Sequence, residues 1–335
     1  MIPRIAINGF GRIGRMVLRA IVESGRKDME IVAINDLGSI DVNAHLFKYD
    51  SIHGRFPGTV SVHQNTIDVG FGPIQVFSEA DPEKLPWNQL GIDIVMECSG
   101  HFTDKEKASK HLKAGAKRVL VSAPTTNADL TVVYGVNHQE LKAEHHVVSC
   151  GSCTTNCLAP VAGALHEAIG IEHGYMTTVH AYTGDQRLVD TLHQDLHRAR
   201  AAAMSMIPTS TGAAKALGLV LPSLKGKLDG AAIRVPTANV SVIDFKFTPS
   251  RKTSIEEINA VMKKAAEGPM KSVLSIVEEP LVSIDFNHSS YSSNFDTTQT
   301  QVINGQFCRV VSWYDNEWGF SNRMSDVAIE IAKLI

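Results

Sequence analysis

The 335-residue chain sets 32 Lys and Arg against 35 Asp and Glu, a formal net charge of −3, with 44% hydrophobic and 20% charged residues. That balance gives no basic footprint for nucleic acid or an anionic membrane surface, and no run approaches the roughly 18 apolar residues of a membrane span. The length suits two domains, and five cysteines are an odd set that does not make a secreted disulfide framework, so a reducing cytoplasm is the expected setting.

The start, "MIPRIAINGF", carries Arg4 and too short an apolar run for a signal peptide. Ile5-Ala6-Ile7 reads as a buried strand that runs into "NGFGRIGR", and Ile13, Val17, Leu18 and Ile21 follow at helical spacing. "EIVAIND" (Glu30 to Asp36) is a second strand ending in an acid. "DIVMECSG" (Asp93 to Gly100), "RVLVSAP" (Arg118 to Pro124), "LTVVYGVN" (Leu130 to Asn137) and "HHVVSC" (His145 to Cys150) read as further strands. Asp104 to Ala114 reads as an amphipathic helix opened by Thr103 and closed by Gly115. Strands alternating with helices predict an α/β, doubly wound parallel sheet over about the first 150 residues.

Beyond it a helix begins within "SCGSCTTNC", because Leu158, Val161, Leu165 and Ile169 repeat at helical spacing. Longer alternating runs follow: "GYMTTVHAY", "DGAAIRVPTANVSVIDFKF" and "QFCRVVSWYDN". They predict a mostly antiparallel sheet with helices on one face, an α+β domain. Thr183 to Ser205 is a long polar stretch without a period, which marks a functional or interface loop. "SNRMSDVAIEIAKLI" carries Met324, Val327, Ile331 and Leu334 at helical spacing and is expected to pack back on the first domain. The expected division is 1–152, 153–317 and a C-terminal helix over 318–335.

Gly9, Gly11 and Gly14 form G-x-G-x-x-G between a strand and a helix. The first glycine allows a tight turn, the second a close approach to a pyrophosphate, and the third close packing of helix on strand. Asp36 lies 22 residues beyond Gly14, at a strand end, where a carboxylate bonds ribose hydroxyls. Glycine-rich turns also arise for packing alone. With strand, helix and acid all in place, a Rossmann-type dinucleotide site is the better reading, and the acid favours NAD over NADP.

Three of the five cysteines fall between Cys150 and Cys157. A zinc site would want a second distant pair, and Cys98 and Cys308 are single, so no metal is expected. A redox C-x-x-C belongs near the start of a small domain's helix, and this one is mid-chain. Burial as inert thiols suits Cys98, Cys157 and Cys308. Cys153 differs: Ser152, Thr154, Thr155 and Asn156 around it are helix-capping residues, and a helix N-terminus favours the reactive thiolate. Its base would be His180, which ends the strand "YMTTVH". On residue types alone that pairing stays open.

"INGFGRIGR", "SCTTNCLAP", "HAYTGDQ", "RARAAA", "PTSTGAAKA", "IRVPTANVSV" and "WYDNEWGFSNRM" together resemble the phosphorylating glyceraldehyde-3-phosphate dehydrogenases, from about residue 3 to the C-terminus. The resemblance implies Cys153 as nucleophile and His180 as base. It implies Thr183 and Arg234 for the substrate's phosphate, and Ser152, Thr154, Arg198, Thr211 and Gly212 for inorganic phosphate. Arg12, Ile13, Asp36, Ser122 and Asn316 match cofactor contacts, Asn316 orienting the nicotinamide amide. A homotetramer and NAD as cofactor would carry over. Cys150 and Gly151 stand where the family commonly has Asn and Ala, and Leu192 where NAD-using members often carry proline. Erythrose-4-phosphate dehydrogenase shares fold, Cys and His, but its relatives lack the pattern from His180 to Asp185. A non-catalytic NAD-binding or moonlighting protein would be credible were Cys153, His180 or Arg234 missing.

Overall fold

A computed structural model describes residues 2–335. The chain forms two units. The first holds the chain up to Tyr134 with His138–Ser152 and Ser321–Ile335, and the second holds Gly135–Asn137 and Cys153–Phe320.

In the first unit, Arg4–Asn8, whose apolar residues are fully buried, pairs in parallel with Glu30–Asn35 on one side and Ile94–Glu97 on the other. A chain that leaves one strand in both directions creates a switch point, and the crevice beyond the strands' C-terminal ends is where such sheets bind ligands. Parallel pairing continues outward through Arg118–Val121, Val147–Ser149 and Leu130–Thr131, and through Pro73–Phe77 on the other flank. Thr66–Asp68 and Ser61–His63 then extend that flank antiparallel, an addition the sequence patterns did not announce.

Two expected elements are shorter than read. The segment after Thr103 is two short helices, Lys105–Ala108 and Lys110–Lys113, with Asp104 capping the first through the Glu106 N–H at 2.9 Å. Ser109 ends that first helix, its hydroxyl donating to the Lys105 carbonyl at 2.7 Å, the competition that makes serine a poor interior residue. The strand expected over Leu130 to Asn137 stops at Thr131.

The second unit is a seven-stranded sheet ordered Ile207–Ser210, Leu228–Val235, His173–Ala181, Ser241–Thr248, Phe307–Tyr314, Ser293–Ile303 and Leu274–Val277. Four of its pairings are antiparallel and two parallel. Ser241–Thr248 alternates strictly between buried and half-buried positions, the mark of a sheet packed on one face. The helices Cys153–Ile169, Ala213–Val220 and Ile255–Glu267 pack on it. Thr183–Ser205 holds no helix or strand, only an isolated bridge between Arg187 and Ala201. Among the described residues, no helix is long and apolar enough to cross a membrane.

The glycine turn shows why these residue types are needed. Gly9 has φ +88, and a Cβ there would lie 2.4 Å from the Ser99 backbone. A Cβ on Gly14 would lie 2.1 Å from the Gly9 carbonyl oxygen. Gly9→Ala is therefore expected to cost about 2 kcal/mol or more in stability, from the left-handed φ and the backbone clash together. Thermal melting with and without NAD checks this, and an unchanged melting temperature and affinity would contradict it.

Candidate active site

The dinucleotide side of the protein lies within the first unit. A cleft of about 360 Å³ opens at the switch point, lined among others by Gly9, Gly11, Asp36, Leu37, Cys98 and Ser99. Nothing lies within 4 Å of the position a Gly11 Cβ would take, so bare backbone faces open space at the start of the Arg12–Glu23 helix. That helix has no side-chain cap, which suits an anion at its positive end. Asp36 accepts the Phe10 N–H at 2.7 Å, the Gly38 N–H at 2.8 Å and the Asn43 amide at 3.3 Å. A carboxylate has about four acceptor positions, so capacity remains for a ribose hydroxyl. These residues fit an NAD adenosine and pyrophosphate.

The other expected cofactor residues sit differently. The Arg12 guanidinium forms an ion pair with the buried carboxylate of Asp50. Burial alone would raise the Asp50 carboxyl, but hydrogen bonds from Arg12 and from the His53 and Ile52 N–H groups bring it down to about 2. Ile13 is half-buried in the first helical turn and Gly14 is buried behind Gly9. Ser122 is half-buried, its N–H donating to the Glu97 carbonyl at 2.9 Å. Ser99, His101 and Phe102 line the cleft without having been singled out in the sequence. The strand "DIVMECSG" ends there, and strand ends at a switch point were the available signal.

The thiol side lies within the second unit. Cys153 is the first residue of its helix, His180 lies near the end of His173–Ala181, and Cys153 Sγ is 3.6 Å from His180 Nε2. His180 Nδ1 lies 2.6 Å from the Ala181 carbonyl oxygen, which can only accept. The proton therefore sits on Nδ1, and Nε2 presents its lone pair to the thiol. Arg234 Nη1, 3.1 Å from the same Nδ1, shares the Ala181 carbonyl at 3.2 Å and reaches Thr183 Oγ1 at 3.3 Å. Burial, with the charges of Arg234 and Arg198, depresses the imidazole to about 3 against the Ala181 hydrogen bond. The imidazole is therefore neutral.

Burial pushes the Cys153 thiol above its ordinary value, although Arg234 and the Thr154 hydroxyl and N–H pull the other way. Desolvation thus outweighs the charge and hydrogen-bond effects on the thiol, which stands protonated beside a neutral imidazole. Cys150 and Cys157 are buried and pushed up to about 12 by burial, and Cys308 to about 11. No disulfide forms among the described residues, and no group of three or more His, Cys, Asp or Glu among them could hold a metal ion.

Two cations act on the pair, Arg234 beside His180 Nδ1 and Arg198 through its charge. Arg234 is half-buried, and its Nε is buried without a partner. Burial lowers the Arg234 pKa, a penalty that an anion would relieve. Arg198 donates to Asp185 at 2.7 Å and Thr209 at 3.1 Å. Thr211 accepts the Ala213 N–H at 3.2 Å, and Gly212 opens the Ala213–Val220 helix. Ser152 is half-buried, while Thr154 is buried, its hydroxyl 2.8 Å from Tyr314 Oη. Asn316 Oδ1 accepts from Ser241 Oγ at 2.9 Å, and Ser241 Oγ accepts the Ala181 N–H at 3.0 Å. With the Ser241 hydroxyl donating to the Asn316 oxygen, the amide nitrogen lies on the far side from Ser241.

The chain is similar to known proteins over its whole length. The profile described as "Glyceraldehyde 3-phosphate dehydrogenase, NAD binding domain" matches residues 3–105, and that of the C-terminal domain matches 152–316. The chain is 65% identical over 334 residues to "Glyceraldehyde-3-phosphate dehydrogenase" of Xanthobacter flavus, covering 100% of both chains. It is 62% identical to the protein so named in Cereibacter sphaeroides, again over 100% of both. It is 55% identical to that of Geobacillus stearothermophilus over 99% of each.

Proposed function

The chain belongs to the glyceraldehyde-3-phosphate dehydrogenase family as an NAD-dependent oxidoreductase, and on that premise we propose that it makes an acyl phosphate through a cysteine thioester. The observation that carries the mechanism is Cys153 Sγ at 3.6 Å from a His180 Nε2 whose lone pair is fixed toward it.

As Cys153 attacks the aldehyde carbon of D-glyceraldehyde 3-phosphate, its proton passes to His180 Nε2. The imidazolium then donates to the developing oxyanion, a hemithioacetal forms, and His180 later takes back the hydroxyl proton. When bound, NAD supplies the acceptor for the hydride lost from that carbon. Inorganic phosphate attacks the resulting thioester and frees Cys153 with 1,3-bisphosphoglycerate, a step of glycolysis and gluconeogenesis. Two phosphates need two anion sites: Thr183 and Arg234 hold the substrate's own, while Ser152, Thr154, Arg198, Thr211 and Gly212 serve the incoming one. Gly9, Gly11, Ile13, Gly14, Asp36, Ser122 and Asn316 hold NAD. Arg12 contributes through its backbone at the helix start, since its guanidinium is engaged with Asp50.

We further propose a homotetramer in the cytoplasm. Leu188, Leu192 and Leu196 are 82%, 91% and 80% exposed in the long polar loop, more apolar surface than one loop normally gives to water. A mechanism that depends on a thiol suits a reducing compartment.

The test is reduction of NAD and of NADP with glyceraldehyde 3-phosphate, with and without phosphate. The expected result is turnover that requires phosphate and prefers NAD. Turnover indifferent to phosphate would mean that water takes the acyl group, and the acyl-phosphate reading would be abandoned.

A further inference from the structure

Tyr314, the last residue of Phe307–Tyr314, is fully buried against the cysteine–histidine pair. Its hydroxyl lies 2.8 Å from Thr154 Oγ1 and 2.9 Å from Thr178 Oγ1. Its ring meets the His180 ring edge-on, centroids 5.9 Å apart at 75°. Thr154 follows the nucleophile in the helix, and Thr178 lies two residues before the base in its strand. One phenol thus joins the element that carries the thiol to the element that carries the base.

The hydrogen-bond directions are constrained. A hydroxyl has one proton, and a thiolate only accepts. Thr154 follows Cys153 in the first turn of the helix, and its hydroxyl and N–H favour negative charge on the neighbouring sulfur. Once that sulfur is anionic, the Thr154 proton turns to it, the Thr154 oxygen accepts from Tyr314, and the Tyr314 oxygen accepts from Thr178. All three hydroxyls then align toward the charge, and aligned donors strengthen one another in a dry site. With a neutral thiol, the Cys153 proton goes to His180, and Thr154 can donate to Tyr314 instead.

We infer that Thr178, Tyr314 and Thr154 form a hydroxyl relay that positions donors on the Cys153 thiolate, Tyr314 and Thr178 acting through Thr154. The ionisable groups that act on Cys153 are His180 from its strand, Arg234 from the neighbouring strand, Tyr314 from a third, and Cys157 on its own helix. Arg234 supplies the only net positive charge among them, and the relay adds oriented dipoles. Burial holds the Tyr314 phenol well above its ordinary value, so it keeps its proton and remains a donor.

The inference rests on Cys153 being the nucleophile, and the experiment separates the two. The pH dependence of Cys153 carbamidomethylation by iodoacetamide is followed by mass spectrometry on the intact enzyme, in wild type, Tyr314→Phe, Thr178→Val and Thr178→Ser. Loss of one charge-assisted donor chain should slow alkylation about three- to tenfold at neutral pH in the Phe and Val variants, with the profile moved to higher pH. NAD affinity should not change, and Thr178→Ser, which keeps the hydroxyl, should return the wild-type profile. Profiles for Tyr314→Phe and Thr178→Val that overlie wild type would overturn the relay, and if the Phe variant misfolds the two Thr178 variants decide alone. A wild-type enzyme alkylated elsewhere before Cys153 would overturn the nucleophile assignment instead.

Discussion

Cys153→Ala is expected to leave NAD affinity intact and to lower turnover of glyceraldehyde 3-phosphate by at least about four orders of magnitude, since no covalent intermediate can then form. The side chain is half-buried at the first turn of its helix, so its truncation removes little packing. Cys157 is the control. Its sulfur lies 3.5 Å from Ser293 Oγ and 3.8 Å from the Ser312 carbonyl, and burial pushes its thiol up to about 12. Cys157→Ser should keep turnover within a few-fold of wild type. A steady-state assay of both variants beside an NAD titration distinguishes them. Retained turnover in Cys153→Ala would end the thioester mechanism.

His180→Asn should reduce kcat by about 10²- to 10⁴-fold, the usual yield of a positioned general base. The amide keeps a polar group near the Ala181 carbonyl but cannot take the thiol proton. The same substitution bears on acid stability. The native imidazole lies near 3 against an ordinary 6.5, so the unfolded chain binds a proton that the folded one refuses. That contribution to stability is whole above about pH 6.5 and is lost as pH falls toward 3, with a limiting slope of about 1.4 kcal/mol per pH unit. His180→Asn removes this source of acid sensitivity. Denaturant unfolding of wild type and variant at pH 7 and pH 5 checks it: parallel losses in both would contradict the buried neutral histidine.

The glycine turn was legible because each glycine answers a local demand. Gly9 and Gly14 sit where a Cβ would meet backbone at 2.4 and 2.1 Å, and apolar runs on either side identify the strand and helix. Ser61–His63 and Thr66–Asp68 were not legible, being short and partly exposed with little hydrophobic pattern. In "DGAAIRVPTANVSVIDFKF" the alternation was correct, but it says nothing about neighbours. Its two strands flank His173–Ala181, one parallel and one antiparallel, rather than pairing with each other. In the site, residue types singled out Cys153 and His180, while their 3.6 Å approach needed the fold. Tyr314 was hidden in a run that reads as core, because only tertiary contact shows where a buried hydroxyl finds its partners.

The first unit takes its last piece from the end of the chain. Ser321–Ile335 belongs to it, with Met324, Val327, Ala328 and Ile331 buried, Arg323 over the Tyr134 ring at 5.8 Å, and Arg26 paired at 2.6 Å with Asp326, 300 residues away. On the ribosome, where chains grow by about 5–20 residues each second, the parallel sheet is translated many seconds before this helix emerges. The nascent unit therefore waits with an apolar surface uncovered while the whole second unit is made. Its closure waits for Ser321–Ile335, and the interval is when a chaperone has something to hold.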